Sequence, residues 1–195
     1  MEWRQIHIET LPAVPWKNGG GTTRNLAIAP DDAGLDDFHW RVSIADVRQS
    51  GRFSVFPGVD RTIVLLEGNG MLLHADDGTQ FALTTPFASH TFRGETGIEA
   101  TLVSGATRDF NVMVRRGLAG ATVEVWRAET PISRDVDEAV FFCPAGRFRL
   151  VSNDDDFPLS AAYALRVSGV RAGTRLIPKA EGDVLIGALI ELAEA

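Results

Sequence analysis

Residues 15–25 read PWKNGGGTTRN, and the density of hydrogen-bond donors around three consecutive glycines makes this the first place to look for chemistry. Glycine accepts positive φ and the close approach of another backbone. Gly19, Gly20 and Gly21 can therefore turn several N–H groups toward one point and form a concave nest for an anion. Lys17, Thr22, Thr23 and Arg24 would add cationic and hydroxyl donors around the same point. Two phosphate-loop readings fail. A P-loop carries its lysine after the glycines, whereas Lys17 precedes them. The dinucleotide fingerprint needs G-x-G-x-x-G between a strand and a helix, a spacing that Thr22-Thr23-Arg24 breaks. The plain alternative is a tight bend with Lys17 and Arg24 in solvent.

Other donors join this stretch. Arg61 opens an apolar run just after the FPG turn, where a cation can look into the mouth of a small barrel. The alternative is a structural ion pair with Asp60 or Asp109. In Asp109-Phe110-Asn111, the period of a strand puts Asp109 and Asn111 on one face. Arg115 and Arg116 are adjacent, so only one can face inward. Trp16 and Trp40 offer flat apolar walls or plain core. As a set, Trp16, Lys17, Asn18, Gly19, Gly20, Gly21, Thr22, Arg61 and Asn111 read as a site for a small carboxylate, whose geometry suits forked arginine donors.

Catalytic patterns are sparse. The histidines are His7, His39, His74 and His90, with no H-x-H pair. Cys143, the one cysteine, sits in the apolar run VFFCPAG and reads as a buried, inert thiol; it excludes a disulfide framework and a zinc-finger set. No G-x-S-x-G elbow occurs. Acid–base work would fall to Asp46, Asp109 or His39 if any of them reached the pocket. Single carboxylates such as Asp46, Asp60 and Asp109 otherwise cap turns or pair arginines.

Composition bounds the partners. The 195 residues carry a formal charge of −7, which argues against nucleic acid or an anionic membrane surface as partner. MEWRQIHIETLPAV lacks a basic region followed by an apolar run, and the longest apolar run, VLIGALI, is too short to span a bilayer. A cytoplasmic protein in a reducing compartment is expected.

The elements that must position these residues are strands. DFHWRVSIADV alternates Phe38, Trp40, Val42 and Ile44 with His39, Arg41 and Ser43, the pattern of a half-buried strand. RTIVLL, then Gly68-Asn69-Gly70, then MLLH reads as a hairpin, and Asp76-Asp77-Gly78 turns the next one. IEATLVSG and DFNVMVRR add two strands, with SHTF around His90 as a loop. The second half continues with TVEVWRA, AVFFCPAG, FRLV, AAYALRV and DVLIGALIEL, and acidic SNDDDFPLS as a surface loop. About ten strands at regular spacing, without a convincing amphipathic helix, predict an all-β sandwich or barrel. A loose parallel between LIPKAEGDVLIGALIEL and LTTPFASHTFRGETGIEATLVSG suggests two similar modules, 1–117 and 118–195.

Four blocks in order, PWKNGGGTTR, FHWRVSIADV, GRFSVFPGVDRTIVLLEGNG and DFNVMVRRG, resemble the HutD/Ves family of bacterial cupin-fold proteins. The resemblance implies a bicupin, two cupin-like β-barrel or jelly-roll modules in one chain. It also implies a link to histidine utilisation or to stress responses, with acids such as urocanate or formylglutamate as ligand candidates. No settled activity comes with it. Where the family pattern runs Thr-x-Glu, this chain has Thr23-Arg24-Asn25. If that Glu pairs a basic group, Asn25 leaves the pocket more cationic. Catalytic cupins hold a metal in a G-x5-H-x-H-x3,4-E pattern that this chain lacks, so neither metal nor cofactor is expected. The leading expectation is a binding protein, a modulator or sensor of a small organic acid. A cupin enzyme acting on such an acid, with or without metal, is the alternative. Sheet-edge pairing makes a homodimer the oligomer to test.

Overall fold

The computed structural model describes residues 1–153 and 155–193. All paired strands run antiparallel, the only helical turn is a 3-10 turn at Ile8–Thr10, and no α-helix occurs among the described residues. Among these residues no helix is long and apolar enough to cross a membrane. The chain divides into two units, Met1–Leu11 with Ala119–Ala195, and Pro12–Leu118.

Strand β1 (Glu2–His7) pairs with Tyr163–Ser168, so the first eleven residues belong with the C-terminal unit and not with the 1–117 module expected from sequence. Packing explains the assignment. Ile6 is buried there, and the Trp3 and His7 rings lie against Phe157 and Tyr163, with centroids 4.8 and 4.6 Å apart.

The Pro12–Leu118 unit contains β2 (Val14–Pro15), β3 (Gly21–Ala29), β4 (Trp40–Val47), β5 (Gly51–Arg52), β6 (Val59–Glu67), β7 (Met71–Ala75), β8 (Gln80–Leu83), β9 (Ser89–Arg93), β10 (Ile98–Leu102) and β11 (Thr107–Arg115). They form a six-stranded sheet, β2-β3-β4-β11-β6-β9, and a four-stranded sheet, β5-β10-β7-β8. Val47, Ile63 and Leu65 from the first meet Met71, Leu73, Leu83, Ile98 and Ala100 from the second in one apolar cluster. Two facing sheets thus bury a shared core, and neither closes into a barrel.

Several local expectations change. The Gly68-Asn69-Gly70 turn does not close a hairpin, because β6 and β7 lie in different sheets and the turn carries the chain from one to the other. Asp76-Asp77-Gly78 does join a hairpin, β7 to β8, with the Asp77 carboxylate accepting the Thr79 N–H at 2.8 Å. SHTF is part of edge strand β9, which turns His90 and Phe92 inward and keeps Ser89, Thr91 and Arg93 outward. The alternation in β4 has a different meaning too. Trp40, Val42 and Ile44 are buried, but so are Arg41 and Ser43, so the strand is covered on both faces.

The other unit adds β12 (Ala119–Trp126), β13 (Thr130–Pro131), β14 (Val136–Ala145), β15 (Arg147–Val151), β16 (Asp156–Ser160), β17 (Tyr163–Val170), β18 (Arg175–Pro178) and β19 (Val184–Leu192). Its sheets run β1-β17-β14-β19-β12 and β13-β18-β15-β16, with Phe141, Leu165 and Leu185 of one packed with Phe148, Leu159 and Leu176 of the other. SNDDDFPLS, expected as a loop, ends in β16, where Phe157 and Leu159 alternate inward; Asp154 lies outside the described residues.

Candidate functional site

Strands β3, β4, β11 and β6 direct alternate side chains into one cavity of about 530 Å³ within the Pro12–Leu118 unit. The ladder register fixes the layout across β4, β11 and β6. One row reads Arg41–Met113–Arg61, the next Ser43–Asn111–Ile63, and the third Ala45–Asp109–Leu65. Adjacent strands stand about 4.8 Å apart, so the two arginine backbones are separated by roughly 10 Å with Met113 between them. Asn25 of β3 borders Arg41. Phe53, Ser54 and Phe56, from the segment after β5, close in around Arg61.

Both arginines are withdrawn from water, with only 8% of Arg41 and 7% of Arg61 exposed. Arg41 Nε donates to Asn25 Oδ1 at 2.8 Å, and a terminal nitrogen lies 3.6 Å from Met113 Sδ. A terminal nitrogen of Arg61 donates to the Ser54 carbonyl at 3.2 Å, and its guanidinium lies 5.4, 5.6 and 5.0 Å from the ring centres of Phe53, Phe56 and Phe92. Among the described residues neither guanidinium forms an ion pair within 4 Å, while Arg24, Arg108 and Arg116 all do. Arg61 Nε and Asn111 Oδ1 are buried without a hydrogen-bond partner. A buried cation held by neutral acceptors and aromatic faces keeps donor capacity for a guest, and an anion would satisfy it best.

Burial pulls both guanidinium values down to about 10, with the Asp109 carboxyl working in the opposite direction at Arg61. Both stay cationic at neutral pH. Burial also pushes the Asp109 carboxyl up to about 7; Arg61 draws it down and Asp46 raises it. The buried part of the cavity therefore holds two fixed cations, Arg41 and Arg61, and one carboxyl, Asp109, that changes charge near neutrality.

Of the residues singled out in the sequence, Trp16, Lys17, Asn18, Arg61 and Asn111 line this cavity, and Gly19, Gly20, Gly21 and Thr22 do not. The glycine amides form no nest. Gly19 N–H donates to the Trp16 carbonyl and Gly20 N–H to Asn18 Oδ1, both at 3.0 Å, and Gly21 begins β3. The triplet makes a turn in which positive φ favours glycine at Gly19 and close approach requires it at Gly21. Gly19 has φ +71°, and a Cβ on Gly21 would stand 2.4 Å from the Asp46 carbonyl and 3.2 Å from the Trp16 ring. Trp16 can thus fold onto β3, where its Nε1 donates to Thr23 Oγ1 at 2.7 Å. The turn's contribution is to hold Trp16, Lys17 and Asn18 at the cavity.

The other candidates are engaged elsewhere. Arg24 binds Asp46 at 3.0 Å, which also takes Arg108 at 2.7 Å. Burial works against ionisation of Asp46, but the Arg108 and Arg24 guanidiniums hold its carboxyl below the ordinary value. Asp60 pairs with Arg116 and not with Arg61. Arg115 donates to the carbonyls of Phe38 and Asp36. Trp40 is fully buried away from the cavity lining, and His39 is not part of that lining. Cys143 is buried, its Sγ 3.3 Å from the Ala145 carbonyl, and burial pushes its thiol up to about 11, far from a nucleophile's range. Among the described residues no three His, Cys, Asp or Glu side chains gather so as to hold a metal ion.

The sequence pattern concealed Arg41, because an arginine between Trp40 and Val42 reads as the solvent face of a strand. Asn25 stands out in the sequence only as a departure from the family pattern, and Asp109 as a partner for Arg61, a face-mate of Asn111 or a conditional acid–base group. The register supplies the missing link, since it stacks Arg41 beside Met113 and Arg61.

Comparison with known proteins agrees with this architecture. The family model described as HutD matches residues 8–186. A 21.2 kDa Pseudomonas putida protein from the hutC 3′ region is 43% identical over 108 residues, and Protein Ves of Citrobacter koseri is 40% identical over 121. These matches cover 55% and 60% of this chain but only 56% and 61% of the relatives' own length. Among solved structures, a conserved protein of unknown function from Pseudomonas aeruginosa PAO1 superposes with TM-score 0.90 at 30% identity, over 98% of this chain and 100% of that one. HutD from Pseudomonas fluorescens SBW25, in a formate condition, gives 0.78 at 27% identity over the full length of both. Bacillus subtilis oxalate decarboxylase, at 7% identity and TM-score 0.64 over 98% of this chain and 78% of that one, is similar in fold alone. The chain belongs to the HutD family, together with the Ves proteins.

Proposed function

We propose that this protein binds a small carboxylate in the cavity of the Pro12–Leu118 unit and acts as a modulator or sensor of an organic-acid pool. The carrying observation is the pair of buried guanidiniums, Arg41 and Arg61, in one cavity with no ion-pair partner among the described residues. Asn111 and Lys17 add polar contacts at the same cavity. The hutC-region relative and the HutD structure support histidine utilisation as the setting, and urocanate or formylglutamate are the first acids to try. In this reading the two units are two cupin-like modules of a bicupin, working in the cytoplasm.

Calorimetry tests the site. The expected result is binding of carboxylates but not of the matching primary amides, with affinity lost in Arg41→Met and Arg61→Met. A charge-assisted hydrogen bond contributes about 1.5–3 kcal/mol, so each variant should weaken binding by roughly 10- to 150-fold. Equal binding by acid and amide would overturn the assignment.

One observation favours a second reading, an enzyme that needs no metal. Asp109 reaches the cavity with a carboxyl poised near neutrality, as a general acid or base would be. Proton NMR of each bound acid in deuterated buffer, with Asp109→Asn as control, decides it. Exchange or conversion dependent on Asp109 supports turnover, and an unaltered spectrum supports binding alone.

A further inference from the structure

The cavity changes character between its buried end and its opening. Arg41, Arg61 and Asn111 make the polar end. Trp16, Phe53, Phe56, Ile63 and Met113 make apolar walls. Three aliphatic residues that line the same cavity are half-exposed: Val14 at 54%, Leu35 at 51% and Val55 at 51%. They come from three separate segments, namely β2, the connection from β3 to β4, and the connection from β5 to β6. Single exposed aliphatics are ordinary, but three around one opening form a collar with an unmet apolar surface.

Charge and size narrow what fits. Arg52 is committed to Asp76, and the lining carries Asp36 as well as Lys17, so the exposed charges offset one another. At the buried end two guanidiniums face one carboxyl, Asp109, so a net positive charge remains there. A volume of about 530 Å³ lies in the range that holds molecules much larger than acetate. A bare carboxylate would satisfy the arginines and leave the aromatic walls and collar uncovered.

We infer that the ligand is an amphipathic monocarboxylate, its head held at Arg41 and Arg61 and its apolar body running along Phe53 and Phe56 to a collar of Val14, Leu35 and Val55. This rests on the anion-binding reading above and adds the class of molecule, which among the acids named there sets urocanate, with one carboxylate, ahead of formylglutamate, with two. The head supplies orientation, and affinity grows with the apolar area removed from water.

Calorimetry on the full chain with acetate, butanoate, hexanoate and octanoate tests it. Each buried methylene should tighten binding about threefold to fourfold until the body reaches the collar. Suberate, which puts a second carboxylate at the collar, should bind more weakly than octanoate. Leu35→Ser combined with Val55→Ser, both at exposed positions, should reduce the gain per methylene. A flat series, with acetate binding as tightly as octanoate, overturns this inference and leaves the anion-binding reading standing. Equal binding by octanoate and octanol overturns both.

Discussion

Placing Asp109 in the same cavity as two cationic side chains makes anion binding a proton-linked event. Without ligand, burial pushes this carboxyl up to about 7, with Arg61 opposing. A carboxylate captured by Arg61 adds a second negative charge to the cavity. At a separation of about 7 Å and an effective dielectric constant of about 20, the repulsion is roughly 2.4 kcal/mol, close to two pKa units. The bound state therefore holds the Asp109 proton more tightly than the free state, and binding takes up a proton as pH rises through about 7. Affinity should fall about tenfold between about pH 6 and pH 8 and level off below the free-state value. Calorimetry in buffers of different ionisation enthalpy reads the proton uptake directly, and Asp109→Asn should abolish it. Proton release on binding, or a pH profile that Asp109→Asn leaves intact, would refute the reasoning.

The same carboxyl affects folding. Its folded value lies above the ordinary unfolded value, so the native state binds the extra proton, and stability falls as pH rises from about 4 to about 7, by on the order of 4 kcal/mol. Asp109→Asn should then melt above the parent at alkaline pH and lose that advantage below about pH 4, as calorimetric melting would show. Asn25→Glu would set a carboxylate against Arg41, whose Nε now donates to Asn25 Oδ1. Carboxylate affinity should drop by about tenfold or more, and an unchanged value would detach Arg41 from the site. Gly21→Ala forces a Cβ to within 2.4 Å of the Asp46 carbonyl, and urea unfolding should report a loss of about 1–3 kcal/mol. Cys143, buried and with its thiol pushed up to about 11, should react with iodoacetamide only after unfolding.

Much of the β architecture was legible because its cause is local. Period-2 alternation and turn residues mark β4, β10 and β11, and Asp77-Gly78 marks the β7–β8 hairpin. Sheet membership was not legible at Gly68-Asn69-Gly70, since a turn sequence does not say whether the next strand pairs back or crosses over. Nor could β1 be assigned, because its partner lies more than 150 residues away and only Ile6 is buried, with Trp3 half-exposed on the other face. At the site, donors beside a special turn were visible, so Trp16, Lys17, Asn18, Arg61 and Asn111 could be singled out before their shared cavity was. The glycines drew attention for the right physical property and the wrong purpose. Freedom at Gly19 and space at Gly21 serve the packing of Trp16, while their amides go to local partners. Arg41 was hidden by the usual equation of polar with solvent-facing, which fails when a strand is buried on both sides and one side lines a cavity.

The most direct test is a crystal structure of the protein soaked in hexanoate. A carboxylate should lie within hydrogen-bond distance of Arg61 Nε and the Arg41 guanidinium, with its chain against Phe53 and Phe56. Hexanoate bound elsewhere, with neither guanidinium in contact with it, would contradict the account.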